Sequence, residues 1–344
     1  MNVAVIGGGG WGTALSSVLA RKGHAVRLWV YEADLAKRLA ETRQNDIYLP
    51  GVELPSSVVV TPRLAEASAG AEMILLVTPS HALRATAARL AVEARSTFVA
   101  APLVVVATKG IEKGTLRRMS EVVSETLPSP AGEDPVVLAG PSHAEEVVRQ
   151  VPAAIVAASR NRDRATAVQE ACSTESLRIY TNDDVVGVEI GVSLKNVVAI
   201  AAGISDGLGF GDSTKAALLT RGLAEMSRLG CAMGARAETF AGLAGMGDLI
   251  ATATSRHSRN RRLGEAVGRG ATLAEALASS PMVSEGVGTC EAAVALARRH
   301  GVELPIAEQV HAILFEGKSA RAAMRELLTR DLRPEAENRV RRES

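Results

Sequence analysis

Along the first half of the chain, apolar residues come in short runs separated by longer mixed stretches. The runs fall at residues 3–6, 25–30, 58–60, 73–77, 104–107, 136–138, 153–157 and 177–180. They are short for helices and mostly rich in valine and alanine, as strands buried on both faces are. Helical stretches lie between several of them, and this alternation predicts a parallel, doubly wound sheet. Pro128-Ser129-Pro130 reads as a loop within this half, because another strand follows it. Past residue 183 the period lengthens to roughly 3.6 residues and strand-like runs fade. Residues 183–204 and 213–229 read as long helices, with others near Leu263, Ala274, Cys290, Ala307 and Ala320. The expected architecture is an α/β domain over residues 1–185 followed by an all-α domain over residues 186–344, with a charged, disordered tail beyond Arg333.

Composition narrows the class. A chain of 344 residues has room for two cores, and 47% hydrophobic with 22% charged residues is the balance of a soluble globular protein. A formal charge of +1 offers no broad surface for nucleic acid or membrane. Cys172, Cys231 and Cys290 are far apart and show no metal-ligand spacing, so reduced thiols in a cytoplasmic protein are expected and no metal site is. No basic leader precedes the first strand, which reads as the absence of a signal peptide. Residues 185–204 are the most apolar long stretch, but Glu189, Lys195 and Asn196 interrupt it and argue against a membrane span.

Gly7, Gly9 and Gly12 have the G-x-G-x-x-G spacing, between a strand and a helix. In that context the first glycine permits a tight turn, the second lets backbone approach a pyrophosphate, and the third lets helix and strand pack closely. Gly10 and Trp11 complete the loop. Helix N–H groups and the helix dipole then hold the anion, as in a Rossmann-type dinucleotide site. Glu32 lies 20 residues past Gly12, where a carboxylate accepts from the adenosine ribose hydroxyls of NAD and repels the extra phosphate of NADP. Glu32 also fits the start of a solvated helix, and Arg38 and Arg43 lie close enough in sequence to keep NADP open. Tyr31 suits the adenine face or the sheet edge.

Four stretches place polar residues in apolar or glycine-rich surroundings. Lys109 follows a strand's carboxyl end, where open α/β sheets bind ligands, although an exposed loop lysine fits there too. In Gly140-Pro141-Ser142-His143, Ser142 can cap the next helix or leave N–H groups for a substrate, and His143 reads as a helix-start histidine. Lys195 and Asn196 interrupt an apolar helix; a buried lysine needs a partner, and one titrating near neutrality can pass a proton. Asp248 and Thr252 are spaced to share a helix face, and Asp248 can pair with Lys195. Ser258, Arg259 and Asn260 offer a hydroxyl, a guanidinium fork and an amide suited to phosphate, whereas Arg261 and Arg262 read as a solvated face. Together these predict hydride transfer from a nicotinamide cofactor, with Lys195 supplying the proton and Arg259 and Asn260 gripping a phosphorylated substrate.

The segments GGGGWGTAL, YLPGVELP, VVATKGIE, LAGPSHAEEV, GVEIGVSLKNVVAIAAGISDGLGFGDSTKAALLTRGLAEM, AGLAGMGDLIATATSRHSRNRRLG and VSEGVGT, running over nearly the whole chain, resemble the bacterial NAD(P)-dependent glycerol-3-phosphate dehydrogenases. The resemblance implies a 6-phosphogluconate-dehydrogenase-like fold. It also implies reversible reduction of dihydroxyacetone phosphate to sn-glycerol 3-phosphate for phospholipid synthesis, by a cytoplasmic homodimer. It assigns proton transfer to Lys195 and a substrate and cofactor contact to Lys109. Gly140, Ser142, Asp248, Ser258, Arg259 and Asn260 are implied in the substrate pocket, with Thr252 as a pocket threonine and Asn196 beside the catalytic lysine. Ala144, Arg259, Val283 and Glu285 are implied as cofactor contacts. Two departures stand out. Many relatives have serine where this chain has Gly10, and many have a basic residue where LWVYEAD carries Glu32. The second favours NAD over NADP. A related hydroxyacid dehydrogenase and a non-catalytic NAD-binding regulator are the alternatives.

Overall fold

The structure is a computed structural model and describes residues 1–93, 102–278, 283–332 and 334–335. The tail expected to be disordered lies, apart from residues 334–335, outside the described residues. The strands are β1 (Asn2–Ile6), β2 (Ala25–Trp29), β3 (Gln44–Asn45), β4 (Leu49–Glu53), β5 (Val59–Thr61), β6 (Met73–Leu76), β7 (Leu103–Val106), β8 (Val136–Ala139), β9 (Ala153–Ala158) and β10 (Leu177–Asn182). Among the described residues, eight of them form one sheet in the order β10-β9-β8-β7-β6-β1-β2-β5. The chain leaves β1 toward β2 and β5, then returns to β6 on the other side of β1. The crevice between the carboxyl ends of β1 and β6 is therefore a topological switch point.

Helices α1 (Gly10–Arg21), α2 (Ala33–Thr42), α3 (Leu64–Ser68), α4 (Ser80–Glu93), α5 (Met119–Thr126), α6 (Ala144–Val147) and α7 (Arg162–Cys172) accompany the sheet. Alternate strand residues feed two cores, as the pleat requires. Val3, Val5 and Leu75 pack with Leu15 of α1 and Val168 of α7 on one face. Ala4, Ile6 and Leu76 pack with Leu83 of α4 and Val122 of α5 on the other. Two features depart from the pattern expected. β9 runs antiparallel to β8. Only the short α6 lies between them, so the chain turns back beside β8 instead of making a full crossover. The antiparallel hairpin of β3 and β4 lies apart from the main sheet. Its strands are too short and polar to give a periodic signal.

After β10 the described elements are all helical. They are α8 (Val185–Gly207), α9 (Asp212–Ala232), α10 (Ala237–Ala241), a π-helical turn (Leu243–Gly247), α11 (Asp248–Thr254), α12 (Arg259–Gly268), α13 (Leu273–Ala278), α14 (Glu285–His300), α15 (Pro305–Phe315) and α16 (Ala320–Leu328). Helix α8 is long and apolar enough to cross a membrane, but 94% of its most apolar window is buried in this fold, as befits a core helix. Val188 and Val192 pack against the sheet's second core, and Leu194, Val197 and Ile200 enter the helical core. Its first turns are pinned by the fully buried Glu189. That carboxylate accepts from Ser120 N at 2.8 Å, from Ser120 Oγ at 2.6 Å, and from Arg118. Burial holds the Glu189 pKa above the usual carboxylate range despite Arg118. One buried ion pair thus ties the helical half to α5.

Helices α8 and α12 touch backbone to backbone. A Cβ on Gly203 would come within 2.0 Å of the Arg261 carbonyl oxygen, and one on Gly264 within 2.1 Å of the Ile200 oxygen. Gly207 and Gly268 repeat the contact one turn on, at 2.3 and 2.4 Å from Glu265 and Ile204 oxygens. Two small-xxx-small ridges therefore interlock. Gly203→Ala is expected to cost about 1–3 kcal/mol by overpacking and to lower the melting temperature by roughly 3–10 °C. Differential scanning calorimetry reads this directly. An unchanged melting temperature would mean that the two helices separate freely.

Candidate active site

The segments that follow β1, β6, β7 and β8 meet at one edge of the sheet. Gly7 has φ +134°, and a Cβ on it would lie 2.7 Å from the Val77 carbonyl oxygen. A Cβ on Gly12 would lie 1.8 Å from the Gly7 oxygen, so glycine alone lets α1 pack this closely on β1. A Cβ on Gly9 would meet nothing within 4 Å, so the space before it is open. No side chain caps α1. The first-turn N–H groups of a helix have no intrahelical acceptor, and here they remain for an anion. Among the described residues, Trp11 Nε1 and Thr78 Oγ1 are buried without a hydrogen-bond partner beside this loop. The cradle, the open second glycine and these spare groups fit a dinucleotide.

Beyond the loop, three charges converge. Lys195 is 4% exposed on α8, and its Nζ contacts Asp248 Oδ1 and donates to Thr252 Oγ1 at 2.6 Å. Asp248 and Thr252 lie one turn apart on α11, which is why both reach the same ammonium. Lys109 Nζ donates to the other carboxylate oxygen of Asp248 at 3.1 Å and to Gly140 O at 3.2 Å. Burial, against the raising influence of Asp248 and with that of Lys109, brings the Lys195 pKa down to about 7. Burial alone would push the Asp248 carboxyl up, but Lys109 and Lys195 together hold it below the usual range. Asn196 is buried beside them, with Nδ2 3.4 Å from Val192 O.

The rim of this recess comes from three segments. Ser142 does not cap α6: its Oγ turns back to Gly140 O at 3.1 Å, and His143 occupies the N-cap position without a capping side-chain bond, its Nε2 lying 3.4 Å from Ala251 O instead. The turn set by Gly140, at φ +142° against Ile155, carries Ser142 one residue short of the cap. Ala144 opens α6 and packs near Trp11. Ser258 does cap α12, accepting from Arg261 N at 3.2 Å. Arg261 is not a purely solvated residue, because Asp206 holds its guanidinium at 2.7 Å. Asn260 Oδ1 accepts from Gly286 N at 3.1 Å, which ties α12 to the start of α14. Arg259 is exposed as a residue; protein packed around its guanidinium lowers its pKa, and Glu285 and Glu145 partly offset this. Glu285 accepts from Ser80 N at 3.0 Å, joining α14 to the start of α4, and Val283 is 40% exposed just before it.

At the far end of the glycine loop, Glu32 precedes α2 without capping it. Tyr31 is 72% exposed and meets Trp29 edge-on. A serine at position 10 would bring its Cβ to 2.7 Å from the Tyr48 carbonyl oxygen, so glycine there makes room for the turn between β3 and β4. Reading residues one by one passes over Thr78, Ser80, Asn45 and Tyr48, which act across the fold.

A glycine cradle at a switch point, joined to a helical half that buries a lysine of lowered pKa, defines a dinucleotide-dependent dehydrogenase. The descriptions NAD-dependent glycerol-3-phosphate dehydrogenase N-terminus and C-terminus match residues 2–165 and 184–325, so the chain belongs to that family. It is 53% identical over 333 residues to glycerol-3-phosphate dehydrogenase (NAD(P)+) of Geobacter sulfurreducens, covering 97% of this chain and 98% of the relative. The glycerol-3-phosphate dehydrogenase structure from Coxiella burnetii superposes with a TM-score of 0.90 at 40% identity, covering 96% of this chain and 99% of that one. The Saccharomyces cerevisiae glycerol-3-phosphate dehydrogenase structure gives 0.78 at 26% identity, over 94% of this chain and 98% of that one.

Because Asp248 raises the Lys195 pKa, removing its charge must lower it further. Asp248→Asn is expected to shift the Lys195 titration down by roughly one to three units. NMR titration after reductive methylation, with Lys195→Arg used to assign the signal, measures this. A titration that stays in place would show the two groups to be uncoupled.

Proposed function

We propose that the chain interconverts dihydroxyacetone phosphate and sn-glycerol 3-phosphate with NAD(P)H, the product feeding glycerophospholipid synthesis. The observation that carries this reading is the buried Lys195, oriented by Asp248 and Thr252 and titrating near neutrality next to a phosphate-suited helix start. When bound, the reduced nicotinamide supplies hydride to the carbonyl carbon. Lys195 Nζ gives its proton to the carbonyl oxygen and takes it back in the reverse direction. A pKa of about 7 suits both directions. Lys109, fixed by Asp248 and Gly140, adds positive charge where the oxygen becomes alkoxide-like.

The phosphate lies at the N-terminus of α12, where the helix dipole and Arg259 favour an anion. Asn260 has its carbonyl engaged with Gly286, which leaves its amide N–H groups to donate. Ser258 Oγ accepts from Arg261 N and keeps its own proton for a phosphate oxygen. Gly140 and Ser142 border the substrate. Gly7, Gly9, Gly10, Trp11, Gly12, Tyr31, Ala144, Val283 and Glu285 would hold the cofactor. Glu32 favours NAD over NADP, because a carboxylate accepts from a ribose hydroxyl and repels a phosphate. The residue ranges 1–185 and 186–344 are taken as cofactor and substrate domains, and the family resemblance supports a cytoplasmic homodimer.

Purified protein mixed with dihydroxyacetone phosphate should oxidise NADH, followed by absorbance, and NADPH less efficiently. Lys195→Ala is expected to lower turnover by about 10²–10⁴-fold while NADH still binds. Binding of NADH without oxidation by any phosphorylated triose would favour the regulator reading instead. Near-normal turnover of the variant would move the proton donor to another group.

A further inference from the structure

The hairpin of β3 and β4 crosses the outer side of the glycine loop as a strap. Asn45, which ends β3, is buried against the loop, and its Nδ2 donates at 2.8 Å to both Gly8 O and Thr13 Oγ1. Asn45 Oδ1 accepts from Tyr48 N at 3.0 Å, which fixes the backbone of Tyr48. The Tyr48 carbonyl then approaches Gly10 as closely as a missing Cβ allows. From this anchored position the Tyr48 hydroxyl donates to Glu32 Oε1 at 2.8 Å. Partial burial and the neighbouring carboxylate raise the phenol's pKa, so it stays a donor through the physiological range.

We propose that Tyr48 is the positioning residue for cofactor selection: its hydroxyl fixes the exposed Glu32 carboxylate at the end of β2 for the adenosine ribose diol. This rests on the reading that Glu32 favours NAD over NADP. An unheld glutamate side chain on the surface spreads over many rotamers, and ordering it on binding weakens affinity. A carboxylate has about four acceptor sites, so the bond from Tyr48 leaves enough for two ribose hydroxyls. The same orientation presents the negative charge to any phosphate on the 2′-oxygen. The strap thus converts a flexible acidic residue into a fixed selector. Gly10 is part of that device, because a side chain there would lift Tyr48 away.

Titrations of NADH and NADPH followed by nicotinamide fluorescence test this at equilibrium, without turnover. Glu32→Gln should narrow the ratio of NADPH to NADH dissociation constants by ~10-fold. Tyr48→Phe should weaken NADH by about 3–10-fold, the loss of one hydrogen bond, and leave NADPH unchanged or slightly tighter. In the Glu32→Gln background, Tyr48→Phe should change the ratio less than about twofold, because its action runs through the carboxylate. Equal weakening of both cofactors by Tyr48→Phe, or an undiminished effect in the double variant, would overturn the role given to Tyr48 alone. A ratio left unchanged by Glu32→Gln would overturn the reading of Glu32 beneath it. A general loss of folding lowers both affinities together and so registers as the first of these failures, with a melting curve to identify it.

Discussion

The interlocked glycines of α8 and α12 set the distance on which the chemistry depends. Helix α8 carries Lys195 and α12 begins with Arg259 and Asn260, so the spacing of the two axes fixes how far the proposed proton donor stands from the proposed phosphate grip. Carbonyl oxygens occupy the places where Cβ atoms of Gly203 and Gly264 would be, and no side chain can yield there. A substrate bound as proposed, bridging the two helix segments, would be held by a scaffold fixed through backbone contacts as well as side chains. Binding energy at the remote phosphate is transmitted to the reacting carbon only if that scaffold does not give. The tie from Asn260 to Gly286 extends the same rigidity into α14.

Rigidity also explains how a lysine survives inside α8. Burying an ammonium is costly unless it is paired and hydrogen-bonded. Here one carboxylate serves two lysines, one on each oxygen, and the Thr252 hydroxyl accepts a further hydrogen bond from Lys195. The cluster Lys109–Asp248–Lys195 carries a net positive charge when all three groups are ionised. That surplus, added to burial, is what keeps Lys195 from holding its proton tightly. An arginine in its place would stay protonated and could not exchange a proton near neutrality. A second acid beside Asp248 would stabilise the ammonium and move its pKa upward, away from the working range.

Much of this was legible in the chain because it is local. The glycine spacing, the strand before it and the helix after it lie within a few turns of one another. A lysine inside a run as apolar as that of α8 announces its need for a partner, and Asp248 with Thr252 offered one at helical spacing. What stayed hidden depends on contacts between distant segments. Ser142 bonds back to Gly140 O rather than capping α6, and Ile155, brought beside Gly140 by the antiparallel return of β9, leaves no room there for a Cβ. The polar strap of residues 44–53 has no periodicity to betray it, yet Asn45 reaches back to Gly8 and Thr13. The Arg261 side chain reads as solvated until Asp206 is brought to it by the close approach of α8 and α12.

The two halves are joined by carboxylates set into the other half's backbone. Glu189 of α8 takes the N–H and hydroxyl of Ser120 at the start of α5, and Glu285 of α14 takes those of Ser80 at the start of α4. In each case a helix N-terminus from the sheet half meets an acid from the helical half, the sign that the helix dipole favours. The two joints differ in burial. Glu189 is sealed with Arg118 and is costly to open, since separation would strand a buried charge. Glu285 is only half-buried, next to Arg259 and the loop after β7. Of the two joints, the Glu189 contact is therefore the costlier to break, and the Glu285 contact, nearer to solvent, is the weaker tie.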